Sequence, residues 1–124
     1  MTYLDTHVAV WLYEGDRTRL SRRAAEQIEA DSLLVSPAVL LEIEYLYERK
    51  RLTVGGPALI GALVRDIGLA VCELTLAAVV QHALEHHWTR DAFDRLIVGQ
   101  AAANEAPLIT KDEKIRMHYN RAVW

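Results

Sequence analysis

Asp5 directly follows the apolar pair Tyr3-Leu4, and Asp112 leaves the run Leu108-Ile109-Thr110 after a single lysine. Asp91 and Asp94 open a segment that is apolar almost all round, through Leu96, Ile97 and Val98 to Ala101, Ala102 and Ala103. Their spacing places both on one side of a first helical turn, where the positive end of the helix favours carboxylates. An aspartate at such a place is also a common N-cap, so Asp91 reads equally well as a cap. In the segment that starts at Pro37, Glu42 and Glu44 flank the apolar face on either side, each about 100° from its centre, and periodicity does not choose between them. Carboxylates gathered at one place repel and raise one another's pKa unless a cation neutralises them. Oxygen donors without His or Cys select a hard divalent ion, Mg²⁺ or Mn²⁺, which keeps waters and takes phosphate oxygens as remaining ligands. The matching chemistry is hydrolysis of a phosphodiester.

Short apolar strands alternating with helices would position these acids. The pattern predicts strands at residues 1–4, 32–36 around Leu33-Leu34-Val35, 69–73 and 107–110, with a further terminal strand over 122–124. Between them it predicts helices over 7–13, 21–30, 37–51, 58–66, 76–87, 91–104 and 112–119, with Gly15-Asp16 and Gly55-Gly56-Pro57 as breaks. Ser36-Pro37 is a strong helix start, a hydroxyl cap followed by proline at the first helical position. Strands alternating with helices imply a three-layer α/β/α fold around a parallel sheet of four to five short strands. In such a sheet ligands collect beyond the carboxyl ends of the strands, where Asp5 and Asp112 stand.

Composition narrows the classes further. The 124 residues, 52% of them hydrophobic and without repeats or low-complexity tracts, suit a single domain over 1–124 with one core rather than a disordered chain. The lone Cys72 excludes an internal disulfide and any multi-cysteine zinc site, and fits a reducing compartment. No apolar run approaches the ~20 residues of a membrane span. The first residues lack a basic segment followed by an apolar one, so the expected location is the cytoplasm, with no membrane partner. A formal charge of -3 is not the footprint of general nucleic-acid coating. The basic residues do cluster, at Arg17 to Arg23, at Arg49 to Arg51 and from Lys111 to Arg121. Solvated helix faces explain such runs most simply, and a groove that tracks a nucleic-acid backbone is the sharper alternative.

In combination these segments resemble the PIN-domain family, in particular the VapC-type ribonuclease toxins of type II toxin–antitoxin pairs, and the resemblance spans the whole chain. Leu4-Asp5-Thr6-His7-Val8-Ala9-Val10-Trp11-Leu12 is similar to the opening of that group, whose aspartate is the first metal-site acid. Ser36-Pro37-Ala38-Val39-Leu40-Leu41-Glu42-Ile43 resembles its second motif and selects Glu42 over Glu44. Arg90-Asp91-Ala92-Phe93-Asp94-Arg95-Leu96-Ile97-Val98-Gly99-Gln100-Ala101 resembles the third, which places the family's invariant acid on Asp94 and an additional aspartate of the subgroup on Asp91. Leu108-Ile109-Thr110-Lys111-Asp112 resembles the fourth, with Thr110 as hydroxyl partner and Asp112 as last acid. One departure is Ala92, where many relatives carry proline; no functional group is lost by it. The apolar slot after Asp112 is kept, by Ile115.

The resemblance implies a Mg²⁺- or Mn²⁺-dependent endoribonuclease with Asp5, Glu42, Asp94 and Asp112 as its catalytic acids. Asp5 and Asp94 are then the principal metal ligands, with Glu42 and Asp112 completing the shell directly or through water and one of them accepting the water's proton. Thr6, Asp91 and Thr110 support them. Arg90 or Arg95 could hold a neighbouring phosphate, or pair with Asp91. The implied partners are an RNA substrate, a cognate antitoxin protein and a second copy in a homodimer.

Other readings are weaker. His82-Ala83-Leu84-Glu85-His86 fits an HxxEH zinc-peptidase pattern, but no third ligand accompanies it, and His82, His86 and His87 read as surface residues near a helix end. Trp11, Trp88 and Trp124 read as packing residues rather than base-stacking platforms. A phosphoacceptor receiver domain should carry an aspartate at the end of its middle strand, and neither residues 33–36 nor 69–73 are followed by one. Two alternatives within the family are a non-catalytic PIN-like module that only binds protein, against which the complete acid set argues, and a nuclease outside any toxin–antitoxin pair.

Overall fold

The computed structural model describes residues 1–124 and holds five parallel strands, β1 (Thr2–Leu4), β2 (Leu33–Val35), β3 (Ala70–Val71), β4 (Leu108–Ile109) and β5 (Ala122–Val123), in the order β3-β2-β1-β4-β5. Around them run α1 (Thr6–Glu14), α2 (Arg22–Ala30), α3 (Pro37–Glu48), α4 (Gly56–Ile67), α5 (Leu76–Ala83), α6 (Ala92–Ala103) and α7 (Glu113–His118). The three-layer α/β/α arrangement and the upper strand count are as the alternating pattern implies. β1 lies at the centre, with Thr2, Tyr3 and Leu4 all buried, as a strand covered on both faces must be. Its neighbours are β2 through Tyr3↔Leu34 and β4 through Leu4↔Ile109. The chain leaves β1 for β2 on one side and reaches β4 on the other, so the order reverses beside β1. A crevice opens at the carboxyl ends of strands where the order reverses in this way.

One continuous core joins the layers, with Leu4, Val35, Val39, Ile43, Leu59, Val98, Leu108, Ile109 and Ile115 wholly inaccessible. Gly99 sets the contact of α5 with α6, because a Cβ there would lie 2.9 Å from the Ala83 backbone nitrogen. The buried Cys72 Sγ accepts a hydrogen bond from the Tyr3 hydroxyl at 3.1 Å, consistent with a free thiol used for packing.

Several boundaries differ from the sequence pattern. The helix expected over 76–87 stops at Ala83, because Arg95 on α6 donates from Nε to the Ala83 carbonyl and from Nη2 to that of Leu84, capping the end. The expected helix over 37–51 ends at Glu48, where Lys50 turns through φ 61°. Gly56 and Pro57 belong to the first turn of α4 rather than to the break before it, since proline fits the start of a helix. Residues 17–19 form a short 3₁₀ turn, closed by Asp16, that periodicity does not reveal. The strand expected over 69–73 pairs only through Ala70 and Val71.

Candidate active site

Three of the predicted acids begin helices. Asp5 follows β1 and caps α1, its Oδ1 accepting from the Thr6 backbone N–H at 2.8 Å. Asp91 caps α6, accepting from the Asp94 N–H at 3.1 Å, and Asp112 caps α7, accepting from the Ile115 N–H at 2.9 Å. The cap reading of Asp91 is therefore correct, without excluding a role for its free oxygen. Asp94 sits in the first turn of α6, and Glu42 lies midway along α3. These five carboxylates line one cavity of about 550 Å³ at the β1–β4 edge, with His7, Val8, Trp11 and Lys111 as its other walls.

Two buried threonines fix the acids. Thr110 donates from Oγ1 to Asp5 Oδ2 at 2.6 Å and accepts from the Asp112 N–H at 3.1 Å, so one hydroxyl ties the exits of β1 and β4 together. Thr6, buried at the start of α1, donates its hydroxyl to Glu42 Oε1. Glu44, two residues on, accepts from the Gly56 N–H at 2.9 Å and so closes the start of α4. The structure thus separates two glutamates that helical periodicity leaves equivalent: Glu42 faces the cavity and Glu44 holds a helix end.

The electrostatics of the cavity are unbalanced. None of the five acids has an ion-pair partner; the ion pairs of the molecule lie elsewhere. Burial raises the pKa of Asp94 to about 7, and the charges of Asp91, Asp5, Asp112 and Glu42 add to the rise. Burial also raises Asp5 and Glu42, with the Thr110 and Thr6 hydroxyls respectively opposing the shift. Carboxylates that repel one another and form no ion pair suit a hard divalent ion, so the donor set fits Mg²⁺ or Mn²⁺. No three His, Cys, Asp or Glu side chains form a ready-made metal centre.

Other candidates fall outside the cavity. Arg95 donates to the carbonyls of Ala83 and Leu84, and Arg90 donates from Nη1 to the His87 carbonyl at 3.0 Å, and neither forms an ion pair with Asp91. His82 and His86 belong to no metal-binding group. His86 is half-buried rather than a surface residue; its ring meets Trp88 and Tyr119 edge-on, and its Nδ1 accepts from the Trp88 indole at 3.2 Å. Trp11 packs at 5.9 Å from Trp124, yet it also lines the acidic cavity. Sequence reasoning assigns no role to His7, although it is close to the strand-exit Asp5, and reads Lys111 only as part of the basic cluster that runs to Arg121.

The sequence model of the PIN domain matches residues 2–119. The chain belongs to the PIN-domain family. This PIN domain is 33% identical over 121 residues to "Ribonuclease VapC22" of Mycobacterium tuberculosis, an alignment covering 93% of this chain and 89% of that protein, which places it among the VapC proteins. Two solved assemblies contain chains that share its fold at 16% identity. One is "VapBC2 from Rickettsia felis bound to a DNA fragment from their promoter", with a TM-score of 0.66 over 98% of this chain and 96% of that one. The other is a "Toxin-antitoxin complex from Klebsiella pneumoniae", with a TM-score of 0.68 over 100% and 97%.

Proposed function

We propose that this PIN domain is an endoribonuclease dependent on Mg²⁺ or Mn²⁺, and the toxin of a toxin–antitoxin pair. The observation that carries the reading is the meeting of Asp5, Glu42, Asp94 and Asp112, unpaired, in one crevice at the switch point of the sheet. The name of the Mycobacterium relative supports ribonuclease activity, and the toxin–antitoxin assemblies that share the fold support an antitoxin partner. A second copy of the chain as homodimer partner, and action in the cytoplasm, belong to the same reading. No helix is long and apolar enough to cross a membrane.

In this mechanism Asp5 and Asp94 would hold the cation, with Glu42 and Asp112 joining directly or through water. A cation held there would supply Lewis acidity toward a phosphate oxygen and a lowered pKa for the attacking water. Thr110 orients Asp5, and Thr6 fixes the Glu42 carboxyl. Either Glu42 or Asp112 takes the proton of the attacking water, Glu42 from a half-buried position that makes it more basic than a free glutamate. Asp91 orders the first turn of α6 and so positions Asp94.

Purified protein incubated with structured and single-stranded RNAs in Mg²⁺, Mn²⁺ or EDTA tests the reading. Cleavage should need the metal and disappear in both Asp5→Asn and Asp94→Asn. Metal-independent cutting, or cutting retained by either variant, would remove the assignment; protein that cuts no RNA would favour the non-catalytic module.

A further inference from the structure

Beside the acidic cavity lies a second one of about 400 Å³, within the range of roughly 300–1,000 Å³ typical of small-ligand sites. The two share Glu42 and Asp91 as a common wall, so one ligand can occupy both. The second cavity adds an aromatic pair, Tyr45 on α3 and Phe93 on α6, edge-to-face at 5.4 Å with Tyr45 43% exposed. It also adds Arg49, at the end of α3. A cation near a helix C-terminus is common and alone would mean little. Arg49, however, lines one cavity together with two acids, Glu42 and Asp91, and forms an ion pair with neither.

A polyanion entering a crevice of carboxylates needs cations on its flanks. Along the joined cavities these are Arg49 on one side and Lys111 on the other, with the acids between them. The exposed Tyr45 ring, backed by the partly buried Phe93 and next to an arginine, offers a ring for a base and a charge for a phosphate, the two elements by which single strands are held. Resting on the ribonuclease reading, we propose that Tyr45, Phe93 and Arg49 form the subsite for one unpaired nucleotide next to the scissile phosphate, its base against the aromatic pair and its phosphate on Arg49.

The test measures binding of a fluorescein-labelled eight-nucleotide single-stranded RNA in Mg²⁺ to the Asp94→Asn chain, alone and combined with Tyr45→Ala, Tyr45→Phe or Arg49→Ala. Tyr45→Ala should weaken binding about 10-fold, the loss expected when a stacking platform is removed, and Tyr45→Phe should restore it. An abasic nucleotide at one position of the oligonucleotide should cancel the difference that Tyr45→Ala makes, which a merely structural role would not do. Arg49→Ala should weaken binding and lower the salt slope by about one. Unchanged affinity in both alanine variants, or a loss insensitive to every abasic position, overturns the subsite. So does a Tyr45→Ala chain that binds RNA normally but changes its sedimentation, which would make this face a protein interface. Because affinity is read in a non-cleaving chain, failure of the unsubstituted protein to cut RNA overturns the nuclease reading and leaves the subsite to be judged by binding alone.

Discussion

Two groups of acids in this molecule are treated in opposite ways. Around α2 each has a donor: Asp31 accepts from the chain's terminal ammonium and from Thr2, which pulls its pKa to about 2, and Asp16 is lowered by the Thr18 hydroxyl and by Arg19. At the carboxyl edge of β1 and β4 the carboxylates face one another with hydroxyls but no paired cation, and Asp94, Asp5 and Glu42 are all raised. Folding has left one site electrostatically unfavourable while neighbouring surface charges are matched. Such a concentration of perturbed carboxylates in a cleft is what a cation and an anionic substrate would resolve.

The sharpest way to break this contrast is to neutralise its centre. Asp94→Asn keeps the size and shape of the side chain, and should lower Mg²⁺-dependent RNA cleavage by about a thousandfold or more while circular dichroism remains unchanged. Next in size is Thr110→Val, which leaves Asp5 in place but without the hydroxyl that orients it. Loss of such a supporting contact should cost about 10- to 100-fold in activity or metal affinity, read by kinetics and metal titration. A Thr110→Val protein as active as the parent would show that Asp5 needs no orientation.

The same Asp94→Asn change should act on stability with the opposite sign. The folded pKa of about 7 lies above the ordinary value of 3.8, so the folded state binds the proton more tightly. Below both values the group is protonated in either state and favours neither. As pH rises from about 4 to about 7 the unfolded chain ionises first and stability is lost; above about 7 the loss is complete. In EDTA at about pH 8 the Asn variant should therefore be more stable than the parent, by about 1–2 kcal/mol after allowance for screening, with the advantage gone at about pH 4. Mg²⁺ should raise the melting temperature of the parent more than that of the variant, because a ligand stabilises only the fold that binds it.

Glu42 and Glu44 show what could and could not be read from sequence. Each strand-exit acid was visible because apolar runs end abruptly before Asp5 and shortly before Asp112, and local pattern also located the start of α6. The choice between the two glutamates depends on Thr6 and Gly56, which are distant in sequence and brought close only by packing, so it came from family resemblance and not from periodicity. The end of α5 was hidden for the same reason, since Arg95 caps it from another helix. The start of α4 was legible in principle, because proline at the first turn of a helix is a local preference. Glu44→Ala should lose about 1 kcal/mol of stability, the usual worth of a helix cap, and leave cleavage unchanged. Glu42→Gln should do the reverse, and an exchange of these two phenotypes in melting and kinetic assays would invert the assignment.

The smallest effect is expected where the contrast predicts almost none. Arg22 and Glu26 stand four apart on α2 with 93% and 65% of their side chains exposed, joined at 2.9 Å. Water screens such a pair, and holding two long side chains in one geometry costs much of what the attraction returns. Arg22→Ala should leave stability within about 0.5 kcal/mol of the parent in denaturant titration, and leave RNA cleavage unchanged. If Arg22→Ala instead lowered cleavage while stability held, the α2 arginines would belong to the substrate path. The difference between the two regions would then be one of where RNA enters and where it is cut, rather than of matched surface charge against an unmatched site.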